Sequence, residues 1–122
     1  MKEASRACPF NILHVCDYNG PYSDFAPYLD YPGHVVNCNP KLTTKTHSWK
    51  EIQQMFQRPV MGGMDRHGII TTGSPDQIRS EVGAVLKDVP RPFILGADCT
   101  LPDDTQWENI RTAIEAAHGY KA

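Results

Sequence analysis

Three residues in this sequence have the types and spacing of a metal site with one open position. His14 and Cys16 sit two apart in residues 12–17, ILHVCD, an apolar run that predicts a β-strand. Side chains two apart along a strand share a face. The imidazole and the thiol therefore point the same way, with Ile12 behind them. A second strand-like run, residues 93–99 (FILGADC), ends in another cysteine. If the two strand ends meet, His14, Cys16 and Cys99 form an N/S/S set with a position left over, the ligand set of a zinc ion kept open for chemistry. Spacing alone also fits a buried strand histidine and two inert thiols, since free cysteine is commonly buried. Asp17 and Asp98 flank the set. They either orient His14 or take up a proton, or are simply solvated strand ends. Cys38 is a stray fourth ligand or packing, and Cys8 reads as structural. A Cys8–Cys16 or Cys38–Cys99 disulfide is expected only after oxidation.

Positioning these residues is the work of four strands alternating with helices. The strands are expected over residues 11–17, 34–39, 59–65 and 93–99. Residues 2–7 read as a helix end closed off before Pro9, and Ser23 or Asp24 as the start of a short helix to Leu29 that Pro27 limits. Ser48 and Glu51 make a capping box for a helix whose apolar face is Trp49, Ile52, Met55 and Phe56. Ser74, Pro75, Asp76 and Gln77 open the strongest helix, carried by Ile78, Val82, Val85, Leu86 and Val89. Thr105 and Glu108 predict a third capping box, with Trp107, Ile110, Ile114 and Ala117 lining the last helix and Gly119 ending it. Residues 40–47 and 66–73 read as loops. The paired glycines of PVMGGMD mark either close backbone approach or an absent side chain where a ligand sits.

The order strand–helix, four times over, predicts an α/β fold with parallel neighbours. The strands are nearly continuous apolar runs, as expected when both faces are covered. Four βα units suit a small open sheet or half of an eight-stranded barrel. In both, the functional end is the carboxyl edge of the strands, where residues 14–17, Cys38, residues 65–67 and residues 98–99 all fall.

At 122 residues the chain has room for one domain with a real core and not comfortably for two. Its net charge of −2 and lack of a basic stripe give no electrostatic case for nucleic acid or an anionic membrane. The apolar runs are too short to span a bilayer, and MKEASRACPF lacks the hydrophobic core of a signal peptide. The expected location is the cytoplasm, where thiols stay reduced and cysteines serve as ligands, nucleophiles or core filler. GGMDRHG matches neither the dinucleotide nor the P-loop fingerprint.

ILHVCD, then PVMGGMD, then FILGADCTLPDDTQWENIRTAIEA together resemble the carboxyl-terminal half of the uroporphyrinogen decarboxylase superfamily, from about Pro9 to His118. The resemblance implies a TIM barrel about twice this length or more, with this chain supplying strands five to eight and the amino-terminal half missing. The decarboxylases of that superfamily, carboxy-lyases of porphyrin biosynthesis, usually carry a histidine in a Gly-His-Gly turn after the last strand. Here Cys99 stands there. The zinc-dependent corrinoid:thiol methyltransferases carry His-x-Cys on one strand and a distant cysteine after the last, which His14, Cys16 and Cys99 match. That branch implies a Zn2+ cofactor, a corrinoid protein as methyl donor and a small thiol as acceptor. A tetrapyrrole carboxy-lyase and a non-catalytic remnant are the alternatives.

The resemblance gives Asp65 a substrate contact in a Gly-Asn-Leu-Asp-like turn; the alternative is a turn aspartate bonding its own backbone. Asp65 and Asp98 are the candidate catalytic carboxylates. Arg66 and His67 touch an anionic substrate or are merely solvated. Trp49 and Trp107 read as core, and Tyr18, Tyr22, Tyr28 and Tyr31 as a pocket for a flat ring or as loop packing. A half-barrel would leave strand edges and an apolar interior uncovered. The chain is therefore expected to be a truncated product, inactive alone, that self-associates as a homo-oligomer or joins a missing amino-terminal half.

Overall fold

The computed structural model describes residues 2–122. Four strands, β1 (Ile12–Val15), β2 (Val35–Cys38), β3 (Val60–Met64) and β4 (Phe93–Ala97), form one sheet in the order β1-β2-β3-β4. Every pairing is parallel. A doubly wound sheet reverses its strand order at a switch point, whereas a barrel adds each strand beside the one before. The observed order is the barrel progression, so the fold is α/β with four βα units, consistent with half of a TIM barrel. The helices are α1 (Lys2–Ser5), α2 (Trp49–Phe56), α3 (Ile69–Thr72), α4 (Pro75–Asp88) and α5 (Trp107–Gly119), with a 3-10 turn at Ala26–Tyr28. No helix among the described residues is long and apolar enough to cross a membrane.

Local chemistry explains most of these boundaries. The Ser48 and Ser74 hydroxyls accept from the amides of Glu51 and Gln77, and both capping boxes are complete. Ile52, Phe56, Ile78, Val82 and Leu86 then bury the helix faces. On the sheet, Leu13, Val15, Val36, Cys38, Val60 and Met64 pack into the same two clusters as those helices. Trp49 touches both clusters. It lies over Gly62, where an added Cβ would stand 2.5 Å from Trp49 Cη2. The paired glycines thus serve close approach of a helix side chain.

The other face behaves differently from the expectation of a sheet covered twice. One register row crosses it through His14, Asn37, Met61 and Ile94. Ile94 is 38% exposed and Ile12, on the same face, 44%. The sheet is also curled. Asn37 on β2 donates to the carbonyls of Met61 (3.0 Å) and of Ala97 on β4 (2.9 Å). In a flat sheet β4 would lie about 10 Å from β2, beyond that side chain's reach.

Two further regions differ from the sequence reading. Residues 66–73 hold a helical turn, α3, instead of a plain loop. Ile70 is buried there and Asn109 Nδ2 donates to the Ile70 carbonyl at 3.1 Å, which satisfies a helix-end acceptor. That bond rotates α5: its buried residues are Asn109, Thr112 and Ala113, while Trp107 is 82% exposed and Ile114 50%. Thr105 caps nothing, because its hydroxyl pairs with that of Thr71 at 3.0 Å, and Gln106 takes the N-cap without a side-chain capping bond.

Candidate metal centre

Strand β1 alternates exposed and buried residues, so Leu13 and Val15 enter the core while His14 and Cys16 share the uncovered face. The ladder stops before both thiols: Cys16 follows β1 and Cys99 follows β4. The two strand ends nevertheless meet. Cys99 Sγ lies 3.5 Å from His14 Nε2 and 3.7 Å from Cys16 Sγ, across 83 residues of sequence. The three ligand atoms all lie within 4.8 Å of one another.

The two separations made by Cys99 fit a tetrahedral zinc ion. Zinc–sulfur bonds of about 2.3 Å set two sulfurs about 3.8 Å apart, and a shorter zinc–nitrogen bond sets nitrogen and sulfur about 3.5 Å apart. His14 and Cys16 are exposed and Cys99 is half-buried, so a further ligand has access from outside. The donor set, one imidazole and two thiols, is itself that of an open zinc site.

Arg66 holds the two ends together. Its Nη1 lies 2.8 Å from Asp17 Oδ1 and 3.3 Å from Asp98 Oδ2, and its backbone amide donates to Asp98 Oδ1 at 2.6 Å. Asp17 directly follows Cys16, and Asp98 directly precedes Cys99. One guanidinium thus joins the two thiol-bearing segments. Asn39 Nδ2 donates to the second Asp17 oxygen at 2.8 Å, and all three charged side chains are nearly buried. The Asp17 hydrogen bond, opposed by burial and joined by the charges of Asp17, Asp98 and Cys99, raises the Arg66 pKa above its ordinary value. Asp17 and Asp98 flank the site as the sequence indicates, but their carboxylates bond Arg66 and Asn39. At the imidazole Nδ1 stands Asn37 instead, with its Oδ1 2.5 Å away.

Asp65 stands at the end of β3, its Oδ2 3.0 Å from Lys41 Nζ and its Oδ1 accepting the His67 amide at 2.9 Å. Burial raises its pKa, but the His67 amide and Lys41 outweigh burial and hold the carboxyl below its ordinary value. Asp65, Asp98, Lys41 and Trp49 line a cavity of about 140 Å³. His67 Nε2 accepts from Arg66 Nε at 3.2 Å.

Cys38 lies in the core cluster with the helices, away from the face that carries His14, so it is packing. Burial first, and Asp17 second, push its thiol up to about 12. Cys8 is exposed and all four cysteines are free. Tyr22 donates its hydroxyl to the Cys16 carbonyl and packs on Tyr28, which meets Tyr31 edge-on, whereas Tyr18 is exposed.

Arg66 and Asn37 are the site residues that sequence reasoning misses or underrates. Each reaches partners far along the chain, and no local spacing announces them. No curated protein matches the chain at a significant level. A family model described as uroporphyrinogen decarboxylase (URO-D) matches residues 1–120. With that match over nearly its whole length, the chain belongs to the uroporphyrinogen decarboxylase family.

Proposed function

We propose that this chain belongs to the thiol-activating branch of its family, and that His14, Cys16 and Cys99 hold a zinc ion at which a small thiol is prepared to accept a methyl group from a corrinoid. The observation that carries this reading is the convergence of three ligand atoms within 4.8 Å at the carboxyl edge of the sheet. Zinc bound there supplies a Lewis acid that lowers the pKa of a thiol entering the open position, so that a thiolate nucleophile exists at neutral pH. The chain's own residues do the rest. Arg66 fixes the distance between the Cys16 and Cys99 segments. Asp98 acts through Arg66, while Asp65, with Lys41 on the cavity wall, is the carboxylate placed to contact substrate. The same reading has the open face, with Ile12 and Ile94 exposed, closed by further βα units from an amino-terminal half or a second copy. The corrinoid would approach from that completed mouth.

Cobalt(II) in place of zinc tests this without needing a complete barrel. Adding a small thiol to the cobalt-loaded protein is expected to strengthen the sulfur-to-cobalt charge-transfer absorption. A spectrum unchanged by saturating thiol would contradict thiol activation.

The family match itself favours a second reading, a metal-independent carboxy-lyase acting on a tetrapyrrole acid. Loss of carboxylate from uroporphyrinogen in the presence of a chelator would support it over the first.

A further inference from the structure

We propose that Asn37 is a positioning residue that fixes His14 as the Nδ1–H tautomer and so presents a bare Nε2 to the two thiols. The sheet dictates the orientation of the Asn37 amide. Its Nδ2 faces the carbonyl oxygens of Met61 and Ala97 at 3.0 and 2.9 Å. Carbonyl oxygens only accept. Turning the amide over would set its oxygen against two others, so the nitrogen stays on that side and both of its protons are used. Oδ1 is thereby aimed at His14 Nδ1, 2.5 Å away. An amide oxygen has no proton to give, so the imidazole donates and Nδ1 carries the hydrogen. In the neutral ring the other nitrogen is then the acceptor. That nitrogen, Nε2, is the one 3.5 Å from Cys99 Sγ.

All four strands take part in this one choice. His14 is on β1, Asn37 is its register partner on β2, and the two carbonyls belong to β3 and β4. Asn37 is only 7% exposed, so water does not compete for either end of the amide. A free histidine side chain prefers the Nε2–H form, which has no lone pair to offer at Nε2. The asparagine reverses that preference before any ligand arrives. A neutral amide also does this without adding charge. One neutral imidazole and two thiolates balance a divalent ion, and a carboxylate at position 37 would add a further negative charge.

The inference rests on the reading of His14, Cys16 and Cys99 as a ligand set, but its first test needs no metal. Long-range proton–nitrogen correlation spectra of reduced, chelator-treated protein report the tautomer of each imidazole directly, and His14→Gln identifies the signal. The expected wild-type pattern at pH 8 is Nδ1–H. In Asn37→Leu the His14 signal is expected to move toward the Nε2–H pattern, and zinc affinity, read by chelator competition, to fall about 10- to 100-fold. A wild-type Nε2–H pattern overturns the proposal, and so does a folded Asn37→Leu protein that keeps Nδ1–H. The wild-type spectrum decides even if the variant fails to fold. The two readings fail separately: Nδ1–H with no zinc bound removes the metal site and leaves the tautomer, and Nε2–H with zinc bound does the reverse.

Discussion

Arg66 Nη1 stands 2.8 Å from Asp17 Oδ1, and that ion pair links the end of β1 to the turn after β3. The same nitrogen reaches Asp98, beside Cys99. Removing one partner from a buried charged pair leaves the others uncompensated, at about 3 to 5 kcal/mol. Arg66→Met is therefore expected to lower stability by about that much in urea denaturation and to weaken zinc binding with it. A stable Arg66→Met protein with wild-type zinc affinity would show that the ends meet without the clasp.

Gly62 is kept small by Trp49. A Cβ at Gly62 would stand 2.5 Å from Trp49 Cη2, and overpacking of that kind typically destabilises by about 1 to 3 kcal/mol. Gly62→Ala is expected to fall in that range, and Gly62→Ala with Trp49→Leu to fare better than the sum of the two single changes. Additive losses in a double-mutant cycle would refute the contact.

The last helix offers a paired comparison. Trp107→Ser touches little and is expected to change stability by no more than about 0.5 kcal/mol. Asn109→Leu strips the buried donor from the Ile70 carbonyl, a loss of about 1 to 3 kcal/mol. Thermal unfolding of the two variants checks the rotated face of α5. The reverse ranking would restore the face lined by Trp107.

Acid should loosen the start of α2. The Lys45 hydrogen bond, followed by the Ser48 amide, holds the Glu51 carboxyl down at about 2, against an ordinary value of 4.5. The folded state keeps this carboxylate where the unfolded chain protonates it. Its contribution is full above about pH 4.5 and is lost as pH falls through about 2. Glu51→Gln is expected to be less stable than wild type at pH 7, with the gap closing across that window in a circular-dichroism titration. A gap that stays constant down to pH 2 would contradict the shift.

The parts of the fold that were legible in the sequence are those whose causes are local. The four strands are apolar runs, the Ser48 and Ser74 caps sit three residues from their partners, and the shared face of His14 and Cys16 follows from a period of two. What escaped depends on distant partners. Nothing near Ile69–Thr72 marks a helix: its β-branched residues are modest helix formers, and it is anchored by Ile70 and by Asn109, 39 residues away. That same bond buries Asn109 and turns Trp107 outward. Arg66 reads as a loop cation until Asp17 and Asp98 are found 49 and 32 residues off. Asn37 carries no signal in its own strand, because the curl of the sheet brings β4 to it.

The proposed metal site needs two strand ends to meet around one ion. Zinc per chain, measured by elemental analysis on purified, reduced protein beside Cys99→Ala, tests it most directly. About one zinc per chain in the wild type, lost in the variant without loss of helix content, is the predicted result. Wild-type protein that takes up no zinc at pH 7.5, or a Cys99→Ala protein that binds it as tightly, would contradict the account.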